Sequence, residues 1–303
     1  MSFASETKNE LCKTEAAVCC RRAECYGTLL FSRSFTCKGI SLSTENRNAA
    51  ARAARLAGEV TGISVRLTDS RPASGAKAVY TVSSAGEKDA ERILNGFGHT
   101  SGEISLRINL ANLENECCRS AFLRGVFLAC GSVTDPRRDY HLEYVVPYRN
   151  LARDLSGFLL DAGELNLQPG VLNRKGSYVI YVKGSERVAD LLTFMGAPSA
   201  AMQLMQVKML KEVRNNVNRK TNFEAANLGK TAAAAAQQAL AIEKLMKGPA
   251  FADLPDELRE LALLRLNNPD MSLRELGENL KRPLSRSGVD HRLRRLLKLS
   301  GKS

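Results

Sequence analysis

The final 23 residues hold the groups best suited to gripping a polyanion. Lys281, Arg282, Arg286, Arg292, Arg294, Arg295, Lys298 and Lys302 stand against a single acid, Asp290, for a net charge of +7. Ammonium and guanidinium groups displace the counterions of a phosphate backbone, and Arg also reads guanine edges with two hydrogen bonds. Val289, Leu293, Leu296 and Leu297 recur at helical spacing through the same stretch. That stripe predicts a packed amphipathic helix with a cationic outer face, not a frayed tail. The N-terminal end of such a helix suits the major groove of DNA. There Arg286, Ser287 and His291 would reach base edges, and Ser285 would share a phosphate with the helix N-terminus. Arg292, Arg294, Arg295 and Lys298 are better placed for phosphates, which position a protein without specifying sequence.

The elements that must present this helix lie just before it. Leu254-Pro255-Asp256-Glu257 opens a helix with Pro and acids in its first turn, where free N–H groups and the helix dipole favour them. Its apolar stripe is Leu258, Leu261, Ala262 and Leu266, and Asn267-Asn268-Pro269-Asp270 ends it. Ser272 and Glu275 form an S-x-x-E capping box, with Met271 placed to staple onto Leu276. Leu273, Leu276 and Leu280 form the next stripe, and Gly277 permits close approach of a neighbouring helix. Lys281-Arg282-Pro283-Leu284 is the turn, and Ser285 caps the basic helix. A short helix, a tight turn and a basic second helix make a helix-turn-helix. Ser272, Arg274, Lys281 and Arg282 complete its expected DNA-facing set. The competing reading is a small three-helix bundle that binds protein.

The first two hundred residues contain a repeat at an offset of 98. Residues 19–35 lie over residues 117–133 with seven identities in seventeen pairs: Cys19/Cys117, Cys20/Cys118, Arg21/Arg119, Ala23/Ala121, Gly27/Gly125, Leu30/Leu128 and Ser34/Ser132. Average residue usage would give about one. Later segments keep step. Residues 46–61 and 147–162 read as helices, and 63–68, 165–172, 78–82 and 178–182 as strands. Ser74-Gly75 and Lys175-Gly176 mark turns, and 86–94 and 185–194 close each half as helices. With 34–42 and 139–146 as first strands, each half is expected to be αβαββα, and the two halves to form one pseudo-symmetric α+β domain. Ala23 and Gly27, and Ala121, Gly125 and Ala129, lie four apart on one helix face, so the two helices can pack with backbones nearly touching.

Leu123-Arg124-Gly125-Val126-Phe127-Leu128-Ala129-Cys130-Gly131 resembles the nine-residue helix motif of the LAGLIDADG homing endonucleases. The whole chain resembles the WhiA family of bacterial regulators, through the start MSFASETKNEL, the run FLRGVFLACGSVTDPRRDYHLEYV and the end LSRSGVDHRLRRLLKL. The resemblance implies a degenerate homing-endonuclease domain joined to a helix-turn-helix like that of sigma factor region 4. It also implies a DNA-binding regulator of cell division and, in spore formers, of sporulation. In the nucleases the eighth motif position is an acid that binds the catalytic metal. Here Ser32 and Cys130 fill it. Mg²⁺ needs hard, charged oxygen ligands, so the expectation is a scaffold without catalysis, neither metal-bound nor an enzyme. Asp135 and Asp139 are conceivable substitutes, but the first half has no matching acids. The nucleases seat DNA on their sheets. Lys38, Arg66, Lys77, Arg174, Lys175 and Lys183 either do so here or are ordinary solvent-facing charges. The net charge of +5 over the first 280 residues is too weak to decide.

The expected organisation is residues 1–98 and 99–198 for the two halves, 199–250 for a helical connector and 251–303 for the helix-turn-helix. In the connector, Met202, Met205 and Met209 read as one packed face, and Lys208, Lys211, Arg214, Arg219 and Lys220 as a secondary basic patch. All eight cysteines lie in the first half of the chain, with no C-x-x-C pair and with His99, His141 and His291 far from them in sequence. This spacing lacks a zinc signature, so they read as reduced thiols serving as small core residues. The start has no apolar signal core, and the longest uncharged stretch, 231–242, is Ala-rich helix. Overall the chain has 303 residues, 44% hydrophobic, 25% charged, with net charge +12. That fits a globular protein with a polyanion partner. The resulting expectation is a cytoplasmic, nucleoid-associated transcription regulator that binds double-stranded DNA as a monomer, with no cofactor and no membrane contact. The alternatives are a LAGLIDADG-type endonuclease and an adaptor docking on RNA polymerase.

Overall fold

The computed structural model describes residues 2–71, 77–162 and 165–301. The turn expected at Ser74-Gly75 and the basic residue Lys302 lie outside them. The chain divides into two compact units, Met1–Lys211 and Glu212–Ser303.

In the first unit, α1 (Phe3–Leu11) precedes two halves of the same order. The first runs α2 (Val18–Leu30), β1 (Ser34–Thr36), β2 (Gly39–Thr44), α3 (Arg47–Thr61), β3 (Arg66–Ser70), β4 (Val79–Ser83) and α4 (Glu87–Gly96). The second runs α5 (Glu116–Cys130), β5 (Gly131–Val133), β6 (His141–Val146), α6 (Arg149–Leu160), β7 (Gly170–Arg174), β8 (Ser177–Lys183) and α7 (Ser185–Met195). The two antiparallel sheets have matching orders, β1-β2-β4-β3 and β5-β6-β8-β7. The pseudo-symmetric α+β class therefore holds. Each half, however, is αββαββα, with one strand more than the sequence pattern suggests. The supposed single strand at 34–42 is a hairpin that turns at Cys37-Lys38, and Gly131–Val133 pairs with β6. Three-residue strands are too short to show alternation. The hairpin between β7 and β8 turns on Lys175 and Gly176, both at positive φ (53° and 81°), as a two-residue turn demands.

The centre of this unit is the contact between α2 and α5. A Cβ on Gly27 would lie 2.5 Å from the Phe122 carbonyl oxygen, and one on Gly125 would fall on the Glu24 carbonyl oxygen. The backbones meet as the small-residue stripe implies, and no larger residue fits at either point. Beside the contact, the fully buried Glu24 carboxylate accepts from Arg52 Nε at 2.5 Å and from Arg124 Nε at 2.9 Å. Arg52 comes from α3 of the same half and Arg124 from the other half's α5. Arg52 also donates to the carbonyls of Cys12 and Thr14, and Arg124 to the carbonyl of Met195. A buried charge set of this kind is tolerable because every member is paired.

The helix α8 (Pro198–Met246) begins in the first unit and ends in the second. Ala200, Ala201 and Leu204 join the first core. The expected methionine face is only partly right: Met205 packs there, whereas Met202 and Met209 are exposed. The expected basic patch is also reduced, because Lys208 pairs with Glu186 at 2.9 Å and Lys211 donates to the Pro136 carbonyl at 2.8 Å.

In the second unit, Ile242 and Leu245 of α8 pack with α9 (Asp256–Asn267), α10 (Leu273–Glu278) and α11 (Arg286–Ser300). Two stripe positions differ from expectation: Leu297 of α11 is only half-buried and outside this core, and in α9 Arg265 is buried beside Leu258, Leu261 and Ala262 while Leu266 is half-buried against them. The Arg265 guanidinium bonds Gln238 Oε1 at 3.0 Å and the Met271 carbonyl at 2.7 Å, fixing the turn into α10.

The glycine contact generates a test. Gly27→Ala gains about 1 kcal/mol of helix propensity but meets a backbone carbonyl, at the upper end of an overpacking cost of about 1–3 kcal/mol. A net loss of roughly 2 kcal/mol in urea denaturation is expected. Gly58→Ala, on α3 with open space around it, should instead stabilise by about 0.5–1 kcal/mol.

Candidate nucleic-acid interface

The helix-turn-helix is built by its caps. Ser272 Oγ accepts from the Glu275 N–H at 3.3 Å, while Glu275 Oε2 accepts from the Ser272 N–H at 2.7 Å, completing the capping box. Those bonds hold the Glu275 carboxyl below its ordinary pKa. Ser285 Oγ accepts from the Gly288 N–H at 3.3 Å, so α11 starts where the sequence places it. A Cβ on Gly277 would fall on the Leu284 carbonyl oxygen. This glycine therefore admits both the backbone of the turn and the neighbouring helix α11, whose Val289 side chain would lie 3.2 Å from that Cβ. Val289, Leu293 and Leu296 are buried beneath α11.

The opposite face of α11 is exposed and cationic, yet its charges are not equivalent. Arg292 is half-buried and held by Glu257 at 2.5 Å, and Arg282 lies 3.9 Å from the same carboxylate. Arg294 pairs with Asp290 at 2.9 Å and Arg274 with Glu278 at 2.9 Å. Among the described residues, Lys281, Arg286, Arg295 and Lys298 have exposed side chains and no ion pair. Ser272, Ser285, Ser287 and His291 are exposed as well. Both capping serines already accept from their own helices, and Ser285 Oγ also lies 3.0 Å from Ser287 Oγ.

The sheets of the first unit present a second polar surface. Register places Ser41, Ser43, Thr81, Ser83, Arg66 and Thr68 on one face of the first sheet. The corresponding face of the second carries Ser132, His141, Glu143, Tyr181, Lys183 and Arg174. His141 stacks on Tyr181, and Lys183 lies over the same ring at 5.1 Å. Arg66, Arg174 and Lys183 thus share the solvent side of the strands. Lys38 and Lys175 occupy hairpin turns, and Lys77 pairs with Glu45 at 3.1 Å.

At the C-terminal ends of α2 and α5 stand the two positions where the nucleases carry acids. Ser32 is buried and donates to the Ser34 carbonyl at 2.9 Å. Cys130 Sγ lies 3.4 Å from the Val126 carbonyl, and burial pushes its thiol up to about 12. At neutral pH it is an uncharged thiol. A cleft of about 760 Å³ opens here, lined by Cys130, Lys8, Ser43, Glu45 and Tyr80 among others. Lys8 Nζ donates to the Leu128 carbonyl at 3.1 Å, and burial pulls its pKa below the ordinary value. Asp135 and Asp139 accept from the Arg137 and Tyr140 backbone N–H groups in an exposed turn. The donor set therefore suits hydrogen bonding and not a hard divalent cation.

One expectation from sequence needs correction. The cysteines do not all serve as core. Cys20, Cys25 and Cys118 are buried, but Cys19 is partly exposed and Cys117 exposed. The sulfurs of Cys19, Cys20, Cys117 and Cys118 all lie within 4.8 Å of one another. Burial pushes the Cys20 thiol up to about 12. Cys19 lies below its ordinary value, because hydrogen bonds from Cys118, Cys117, Cys20 and Asn115 outweigh its burial. The signal was present in the repeat, which pairs Cys19 with Cys117 and Cys20 with Cys118. A search for ligand spacing along one segment passes over it.

These two units define a class of protein, a LAGLIDADG-like domain followed by a C-terminal helix-turn-helix domain. The model of the WhiA LAGLIDADG-like domain matches residues 119–214, and that of the WhiA C-terminal HTH domain matches 217–300. The probable cell division protein WhiA of Clostridium botulinum is 38% identical over 314 residues, 99% of this chain and 98% of that one. The protein of the same name from Heliobacterium modesticaldum is 38% identical over 309 residues, 99% and 96% of the two chains. The crystal structure of full-length DUF199/WhiA from Thermatoga maritima aligns with a TM-score of 0.59 at 25% identity, covering 100% of this chain and 99% of that one. The chain belongs to the WhiA family.

The half-buried thiol of Cys130, on the wall of the cleft, gives a direct check of the degenerate position. In the folded protein Cys130 should resist iodoacetamide at neutral and mildly alkaline pH, because its thiolate forms only as the pH approaches about 12. After denaturation it should alkylate like an ordinary cysteine. Peptide mass spectrometry showing rapid labelling of Cys130 in the native state would contradict its assigned surroundings.

Proposed function

We propose that this chain is a sequence-specific transcription regulator that binds duplex DNA through its helix-turn-helix and acts in cell division and, in spore-forming bacteria, in sporulation. The observation that carries the reading is α11, an exposed cationic helix whose Leu stripe is buried and whose N-terminal Arg286 has no acidic partner among the described residues. Arg286, Ser287 and His291 read base edges in the major groove, with Arg282 beside them. Arg295, Lys298, Lys281 and Arg274, with the N–H groups near Ser272 and Ser285, hold phosphates. Arg292 and Arg294 take a lesser part, since each must first leave a carboxylate. The names of the relatives support the assignment to cell division. Among the described residues no helix is long and apolar enough to cross a membrane.

In this reading the LAGLIDADG-like domain is a scaffold and does not cleave. A neutral thiol at Cys130, a hydroxyl at Ser32 and the Lys8 side chain in the same cleft do not supply the two carboxylates of a metal-assisted cut. Supercoiled plasmid incubated with Mg²⁺ or Mn²⁺ is expected to stay intact. Cleavage that vanishes in Asp135→Asn would establish an endonuclease instead.

The DNA contacts are tested by anisotropy titration against a specific site and a scrambled duplex. Arg286→Ala should cost about 1–3 kcal/mol on the specific site and relax its specificity. Arg295→Ala should weaken both duplexes alike and lower the salt slope by about one. If neither variant alters binding, α11 is not the recognition helix. Binding to RNA polymerase with no footprint on free DNA would favour the adaptor.

A further inference from the structure

We propose that Cys19, Cys20, Cys117 and Cys118 form a tetrathiolate site for one zinc ion at the N-terminal ends of α2 and α5. Zinc bound by four thiolates is tetrahedral with Zn–S near 2.3 Å, so the sulfurs must stand about 3.8 Å apart. Cys19 Sγ lies 4.0 Å from Cys20 Sγ and 3.9 Å from Cys117 Sγ, and no pair in the group exceeds 4.8 Å. The Cys19–Cys20 and Cys19–Cys117 separations already match to within a few tenths of an ångström, and the widest pair must close by at most about 1 Å. An iron–sulfur cluster, which interposes iron and sulfide between the thiolates, needs them further apart.

The electrostatics of the place suit thiolates. Each cysteine pair occupies the first turn of its helix, where N–H groups lack intrahelical acceptors and the dipole is positive. Ala17 and Asn115, the residues before the two helices, make no side-chain cap bond to them. No cap side chain competes with the sulfurs for the first-turn N–H groups, of which the Cys118 N–H already donates to the Asn115 carbonyl at 2.9 Å. Thiolates at helix N-termini are stabilised by this arrangement. Two of the sulfurs come from each half, so the ion would tie the halves across their pseudo-dyad, one end of a contact whose middle is the Gly27/Gly125 approach. Partial exposure of Cys19 and Cys117 leaves the ion a way in. On binding, each thiol gives up its proton to solvent and its sulfur lone pair to Zn²⁺, with no change of oxidation state.

The test uses the full chain, purified under reducing conditions from zinc-supplemented medium. Elemental analysis should find one zinc per chain. Replacing zinc with Co²⁺ should produce the visible d–d bands of a tetrahedral site and the near-ultraviolet charge-transfer band of thiolate ligands. Cys19→Ser with Cys117→Ser should lose both the zinc and the cobalt spectrum, whereas Cys37→Ser, outside the group, should keep them. Chelation should lower the melting temperature of the parent chain and leave that of the double variant unmoved. Zinc at background level with four alkylatable thiols would overturn the proposal. So would a Cys19–Cys117 disulfide in metal-free protein, or undiminished zinc in the double variant. None of these outcomes depends on DNA binding.

Discussion

A carbonyl oxygen where a side chain would otherwise be is the constraint on which the first unit rests. At Gly27 and Gly125 the backbones of α2 and α5 close on each other with no Cβ between them. That approach brings Glu24 and Arg124, from different halves, within hydrogen-bond distance. Arg52 completes the set from α3. Two guanidinium groups around one carboxylate leave an excess positive charge in a dry place. The carbonyls of Cys12, Thr14 and Met195 accept from the same guanidinium groups, so backbone dipoles meet part of the excess. Each part requires the other. The glycines permit the approach, and the buried ions are tolerable only while it is made.

A doubled helix also doubles whatever stands at its ends. The C-terminal ends bring together Ser32 and Cys130, the positions where two acids would meet in a nuclease. With a hydroxyl and a neutral thiol there, the place lacks those two carboxylates while the helices above it pack closely. The N-terminal ends bring together two cysteine pairs, in the part of a helix that favours negative charge. The repeat thus keeps its geometry while the chemistry at its two ends varies independently.

In the second unit, burial of Val289, Leu293 and Leu296 turns the basic residues of α11 outward as a matter of periodicity. Which cations remain available is a separate question, answered by neighbours. Glu257 on α9 engages Arg292 and lies near Arg282, and Asp290 engages Arg294 within α11 itself. Surface pairs of this kind are worth at most about 1 kcal/mol, so they bias these side chains without fixing them.

Local rules were sufficient wherever one segment carried its own signal. The capping box at Ser272, the cap at Ser285, the stripe of α11 and the repeat at an offset of 98 are all visible in the chain alone, because each needs only neighbours within a few residues or an internal copy. The turn that splits the strand read at 34–42 into a hairpin and the short strand at 131–133 were not, since three residues show no period and only the partner strand defines them. Arg265 carries no local signal, because a buried Arg is legible only with Gln238 and the Met271 carbonyl beside it. The cysteines follow the same division. Their pairing was written in the repeat, but sulfurs 98 residues apart become neighbours only when the two halves close on their glycines. Periodicity and capping act along the chain and can be read there, whereas proximity between distant groups is a property of the packed helices.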